Sequence, residues 1–260
     1  MDCSDEENGV FYFYGNVTIS PFAMGQYEVT QELYQAIMPE NPSTFKSDNI
    51  TSGEIQELRP VDSVNWYEAV AFCNELTKKT FGNSYCVYYS DSNFTTIYTV
   101  DDANASALPY FDQSKKGYRL PTQVEWEFAA RGGDESQECW SYPYPGLSED
   151  TNDSLLTIAW FESNANSVSH EVGLKTPNTL SLYDMAGNLM EWCWDYYLED
   201  FSIGNGNNPT GPDSGEERIL CGGYFDDYSG SCYSYSSTSY SPIPNNNWIN
   251  TVGFRICRSL

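Results

Sequence analysis

Residues 118–133 read Tyr118-Arg119-Leu120-Pro121-Thr122-Gln123-Val124-Glu125-Trp126-Glu127-Phe128-Ala129-Ala130-Arg131-Gly132-Gly133. An extended Tyr-Arg-Leu-Pro lead enters a helix whose start and stop are both written into the chain. Thr122 is placed to cap the first turn, and Glu125, at the third helical position, returns the bond as a capping box. Gly132 and Gly133 supply the left-handed residues that end it. The same grammar occurs upstream. Asn65 caps a helix with Glu68 as its box partner, and Trp66, Ala69, Val70, Cys73 and Leu76 recur at helical spacing on one face. Lys78 and Lys79 suit the carboxyl end of its dipole, and Gly82 stops it.

Outside these two helices the pattern is of short strands and loops. Residues 10–22 are aromatic and β-branched until Pro21, and predict an opening strand pair. Thr30 to Ile37 carries a short helical pattern, and 85–101 alternate like two strands about Ser90-Asp91-Ser92-Asn93. Residues 133–180 are polar and carry Pro and Gly without periodicity, which predicts functional or packed loops. Residues 218–225 and 251–258 predict closing strands. Two main helices among short antiparallel strands, without β-α-β alternation, give an α+β class with much irregular structure. The expected organisation is a flexible tail over 1–9 and one domain over 10–260.

The composition narrows function. The chain has 260 residues, with 12 Lys and Arg against 37 Asp and Glu, for a net charge of −25. Such a surface repels phosphate backbones and anionic headgroups, so nucleic acid is excluded as a partner, and a membrane can be met only through a lipid anchor. Aromatic residues make up 16%, which excludes disorder. No apolar run reaches the roughly 18 residues of a membrane-spanning helix. One histidine, His170, leaves no room for a His-rich catalytic metal site. The eight cysteines form no CxxC pair, against a zinc ribbon or thioredoxin-like motif. Cys3, before the acidic stretch Ser4-Asp5-Glu6-Glu7, reads as the lipidated first residue of a mature bacterial lipoprotein, and hence predicts a lipid-anchored place at the bacterial cell surface.

Three separated stretches keep a common order. They are the 118–133 run; Leu182-Tyr183-Asp184-Met185 with Gly187-Asn188 and Glu191-Trp192; and Arg218-Ile219-Leu220 with Gly222-Gly223 and the terminal Gly253-Phe254-Arg255. Together they resemble the formylglycine-generating-enzyme (sulfatase-modifying factor) family over about residues 19–258. The resemblance implies the C-type-lectin-like fold in its formylglycine-enzyme form. It also implies calcium ligands at Asn188 and Glu191, hard oxygens of the kind Ca²⁺ takes, as a possible cofactor; no other is required. The tryptophans and Arg119, Arg131 and Arg255 are expected to be scaffold, the arginines tying loops through carboxylates.

The resembled enzymes hold Cu(I) on two cysteines, five apart, just after the Gly-Gly, and both thiolates are needed. Here the second position is Cys232 and the first is Asp227, a hard ligand unsuited to Cu(I). The expectation is therefore no enzyme, with a copper oxidoreductase acting on cysteine as the alternative.

Residues 224–241 depart from that pattern. Twelve of these eighteen are Ser or Tyr, the composition of an antibody binding surface. From Tyr224 to Pro244 there is no Lys, Glu, Gln, Met or Trp, the residues that changes in the first two bases of AAC or AAT codons cannot give. This resembles variable proteins of the treponeme type, which are diversified by retroelements on a lectin-like frame. The resemblance implies a non-enzymatic, surface-displayed protein with a variable region of about 224–247, which binds a protein or glycan ligand. The expected contact residues are Tyr224, Asp226, Asp227, Tyr228, Ser231, Tyr233, Tyr235, Ser237, Thr238, Ser239, Tyr240, Asn245, Asn246 and Asn247. Tyr228, Tyr233, Tyr235 and Tyr240 are expected to be mostly exposed.

Overall fold

The computed structural model describes residues 16–46, 51–198, 206–243 and 249–260. In chain order the elements are β1 (Val17–Thr18), β2 (Phe22–Met24), α1 (Gln31–Ile37), α2 (Trp66–Thr80), β3 (Tyr88–Tyr89), α3 (Val100–Asn104), β4 (Tyr110–Phe111), β5 (Tyr118–Arg119), α4 (Gln123–Ala130), α5 (Asn152–Leu155), β6 (Met190–Tyr197), β7 (Gly206–Asn207), β8 (Glu217–Cys221), β9 (Ser237–Tyr240), β10 (Val252–Gly253) and β11 (Cys257–Ser259). The α+β expectation holds, with short strands and long irregular connections.

Both predicted capping boxes are formed. Glu68 N–H donates to Asn65 Oδ1 at 3.0 Å and Asn65 N–H to Glu68 Oε2 at 2.9 Å. At α4, Glu125 N–H donates to Thr122 Oγ1 at 3.3 Å and Thr122 N–H to Glu125 Oε2 at 2.9 Å. Glu125 does more than cap. Arg119 on β5 grips both of its oxygens, at 2.6 and 2.7 Å, and Arg119 lies opposite Cys257 of β11. A bidentate pair of this kind fixes geometry as well as charge. It locks the helix to a sheet of order β2-β11-β5.

The main sheet has the order β10-β6-β8-β9. The Trp-rich β6 is its spine, and alternate residues fill the cores on both sides. Trp192 donates its indole N–H to Val64 O, and Trp66 of α2 donates to Cys193 O, each at 2.9 Å. A buried indole keeps a partner in this way while its rings pack. Helix α2 is covered nearly all round over 66–74, beyond the single apolar stripe its spacing predicts, and the buried Asn74 is satisfied by donating to the Tyr88 and Tyr98 carbonyls.

Three expectations are corrected. Among the described residues β1 and β2 do not pair with each other: β1 lies parallel to β7, and β2 antiparallel to β11, while residues 10–15 of the expected strand pair fall outside the described residues. The β10–β6 pair is likewise parallel. In 85–101 the turn is present, with Tyr89 bridged to Ile97, yet the second strand stops there. Thr99 and Asp102 form a capping box that starts α3, a Thr-x-x-Asp signal legible in the chain.

Candidate ligand-binding site

The segment expected to vary begins where β8 ends. Gly222 and Gly223 stand at φ 97° and 71°, a left-handed turn that favours glycine. A Cβ on Gly223 would lie 2.9 Å from the Ser231 carbonyl, so the pair lets the following chain fold back on itself. Phe225 then plugs a small core against Phe45, Ala165 and Leu189. A 3-10 turn over Ser229–Cys232 follows, and β9 returns antiparallel along β8 with Tyr240 opposite Arg218.

On this framework the expected contact residues gather between Gly223 and Ile243. Tyr228 is 52% exposed, and Asp226 and Thr238 are exposed. Asp226 accepts the Ser167 hydroxyl at 2.8 Å. Ser239 donates to Glu217 at 2.6 Å, and Ser237 accepts from Gln123 at 3.1 Å. Tyr224, Asp227 and Ser231 are half-buried. Asn245, Asn246 and Asn247 lie outside the described residues, as do Cys3 and the 1–9 tail.

The expectation that four tyrosines are mostly exposed is met by Tyr228 alone. Tyr233 stacks between Tyr144 and Tyr235, at 4.9 and 5.2 Å between ring centres, and its hydroxyl donates to Asp150 at 3.1 Å. Arg131 lies over both Tyr235 and Trp140, at 5.5 and 5.6 Å. Tyr240 is half-buried beside the aromatic cluster of the main core. The stacking partners Arg131, Trp140, Tyr144 and Asp150 belong to the 131–153 stretch, which the contact residues read from sequence did not include. Its aromatic-proline run Tyr142-Pro143-Tyr144-Pro145 is the signal that marks it.

Copper chemistry finds poor footing here. Cys232 is fully buried, and burial, reinforced by the Asp227 charge, pushes its thiol up. Metal binding and nucleophilic attack need the thiolate. Burial likewise pushes up Cys193, Cys221 and Cys257. The Asp227 carboxyl is itself pushed up to about 6 by burial, despite bonds from Ser231 and Tyr224.

The calcium residues of the resemblance have protein partners. Both Glu191 oxygens accept N–H donors at 2.6 Å, Oε2 from Trp126 and Arg255 and Oε1 from Arg255. Asn188 Oδ1 accepts from His170 N–H at 2.8 Å while its Nδ2 donates to Glu28. A guanidinium sits where a cation would be, so this donor set does not fit calcium. His170 is buried against Trp160 and bonded to Glu54, a structural position.

The three expected arginine ties are present, as Arg119–Glu125, Arg131–Glu127 and Arg255–Glu191. The family model for the sulfatase-modifying factor enzyme 1-like domain matches residues 5–260. The chain belongs to this family. Its fold is the C-type-lectin-like one found in the formylglycine-generating enzymes. Among solved structures it is similar to Treponema denticola variable protein 1, with a TM-score of 0.79 and 35% identity, covering 94% of this chain and 86% of that one. CarF follows at a TM-score of 0.67 and 25% identity, over 92% and 87%. The chaperone protein LppX of Paenibacillus barcinonensis is 34% identical over 70% of this chain and 65% of its own length. The mouse formylglycine-generating enzyme is 29% identical over 54% of this chain and 38% of its own. The chain thus spans less than two thirds of either curated relative.

Proposed function

We propose that this is a non-enzymatic binding protein displayed on the bacterial surface, whose face over about 224–247 takes a protein or glycan ligand and is diversified by a retroelement. The observation that carries the reading is the placement of the Ser/Tyr segment. Its strand β9 pairs with β8 and its Asp226, Tyr228 and Thr238 are exposed, while the frame ties Arg119–Glu125 and Arg255–Glu191 are buried. The likeness to a treponeme variable protein supports the same reading. The lipid anchor is Cys3, and 10–260 act as one domain.

The deciding experiment is to sequence the DNA flanking the gene. A second copy of its 3′ coding segment, with AAC or AAT at the codons for 224–247 and a reverse transcriptase gene beside it, is the expected result. A locus with neither sinks the diversification. For the anchor, cells fed a fatty-acid analogue should label the protein, and a Cys3→Ser variant should lose the label; equal labelling of both removes the anchor.

The absence of catalysis is tested with copper. Purified protein titrated with Cu(I) should show no stoichiometric binding, and cysteine peptides should yield no formylglycine. Tight one-to-one binding that disappears in Cys232→Ser would restore the oxidoreductase.

A further inference from the structure

Residues 224–247 carry no Lys or Arg. From residue 132 to 254 the only Lys or Arg are Lys175 and Arg218, against eighteen Asp and Glu. Lys175 donates to Leu156 O and lies 3.8 Å from the Trp160 ring centre. Arg218 is buried between Trp66 and Tyr196. Arg131, at the edge of the face, is bound to Glu127. The acids are placed otherwise. Asp150 meets Tyr233, Asp226 is exposed two residues before Tyr228, and Glu217 reaches Ser239 on β9.

The aromatic groups show what suits them. Arg131 lies over Tyr235 and Trp140, so a guanidinium already covers one end of the tyrosine row. Tyr228 rests against Gly230, where a Cβ would meet its ring at 2.6 Å. More than half of its surface is open, and no cation of the described chain lies over it. Cations are drawn to tyrosine faces and more strongly where carboxylates flank them.

Resting on the ligand-binding reading above, we propose that the partner of this face is a basic polypeptide, whose Lys or Arg side chains seat on Tyr228 with Asp226 and Asp150 supplying the opposing charge. Asp150 and Glu217 lie outside 224–247. The fixed wall therefore sets a standing preference for cations, while exchange within 224–247 selects among basic partners. Charge complementarity of this kind governs encounter rate and partner class more than final affinity.

The test uses the full chain with four probes: fluorescent deca-arginine, decalysine, decaglutamate and a neutral hexasaccharide, each at 50 and 200 mM salt. The cationic peptides should bind, and weaken several-fold at the higher salt. Tyr228→Ser should cost them about two- to fivefold, the size of an exposed cation–π contact. Asp150→Asn with Asp226→Asn should weaken binding tenfold or more. The exposed, distant pair Glu32→Gln with Asp101→Asn removes the same charge and should cost less than threefold. Equal losses in the two double variants would mean that net charge alone attracts the peptides, and overturn the proposal. A neutral saccharide that binds in a salt-insensitive, Tyr228-dependent manner keeps the binding face and overturns the basic partner. If Tyr228→Ser and the Asp150/Asp226 pair leave every probe unchanged, both readings fail.

Discussion

Arg255→Met should lower the thermal unfolding midpoint by about 10 °C, or leave no folded protein to measure. Arg255 is fully buried and donates to Glu191 through two nitrogens, to the Tyr183 and Asp184 carbonyls, and to Gly25 O. It is the cation beside three buried acids, Glu28, Asp184 and Glu191. Removing one partner from a buried pair leaves an uncompensated charge and costs roughly 3–5 kcal/mol. In a chain of this size, about 1 kcal/mol moves the midpoint by roughly 2–4 °C. The double variant Arg255→Met with Glu191→Gln should recover part of the loss, because it removes the stranded charge as well. Tyr228→Ser on the outer face should stay within about 0.5 kcal/mol. Thermal melts of the three variants decide it. If Tyr228→Ser destabilises as much as Arg255→Met, the face is core.

The protein should also be more stable at pH 5.5 than at pH 8, by several degrees in midpoint. Asp195 is fully buried, and burial pushes its carboxyl from an ordinary 3.8 to about 7, despite the Gln123 N–H that it accepts at the start of α4. Asp184 is pushed to about 6, also by burial. A carboxyl raised in the folded state holds its proton there while the unfolded chain has lost it. Stability is therefore full in acid and is lost as pH climbs through the folded value. For Asp195 alone the change from pH 5.5 to 8 is on the order of 2 kcal/mol, or roughly 4–8 °C. Asp184 and Asp227 add to it with the same sign. Melts across this range on wild type and Asp195→Asn test it, the variant losing a large part of the slope. A midpoint that rises with pH in wild type contradicts it.

What could be read from the chain was mostly local. Capping boxes need only residues three apart, so the starts of α2 and α4 were visible in Asn65-Glu68 and Thr122-Glu125. The roles of Arg119, Arg131 and Arg255 were also anticipated. Strand pairing was not legible, since β2 and β11 meet across the whole chain and two or three residues carry no periodicity. The family resemblance placed the face, but not its burial. Tyr233 and Tyr235 look free in sequence, and become half-buried because a distant loop supplies Tyr144 and Arg131. The calcium expectation on Asn188 and Glu191 met the Arg255 guanidinium, whose choice of Glu191 as its carboxylate no local pattern reveals.

The pairing of Phe22–Met24 with Cys257–Ser259 has a kinetic consequence. Strand β11 sits in the middle of its sheet, between β2 and β5, so that sheet has no centre until residues 257–259 have been made. The earlier segments must wait, their edges open, for a strand made long after them. Closing such a long loop before any contact rewards it makes for slow folding. Chains that stop before Cys257 should leave β2 and β5 unjoined. A chain cut off within residues 224–247 would therefore lack the centre of that sheet, and lose far more than part of its outer face.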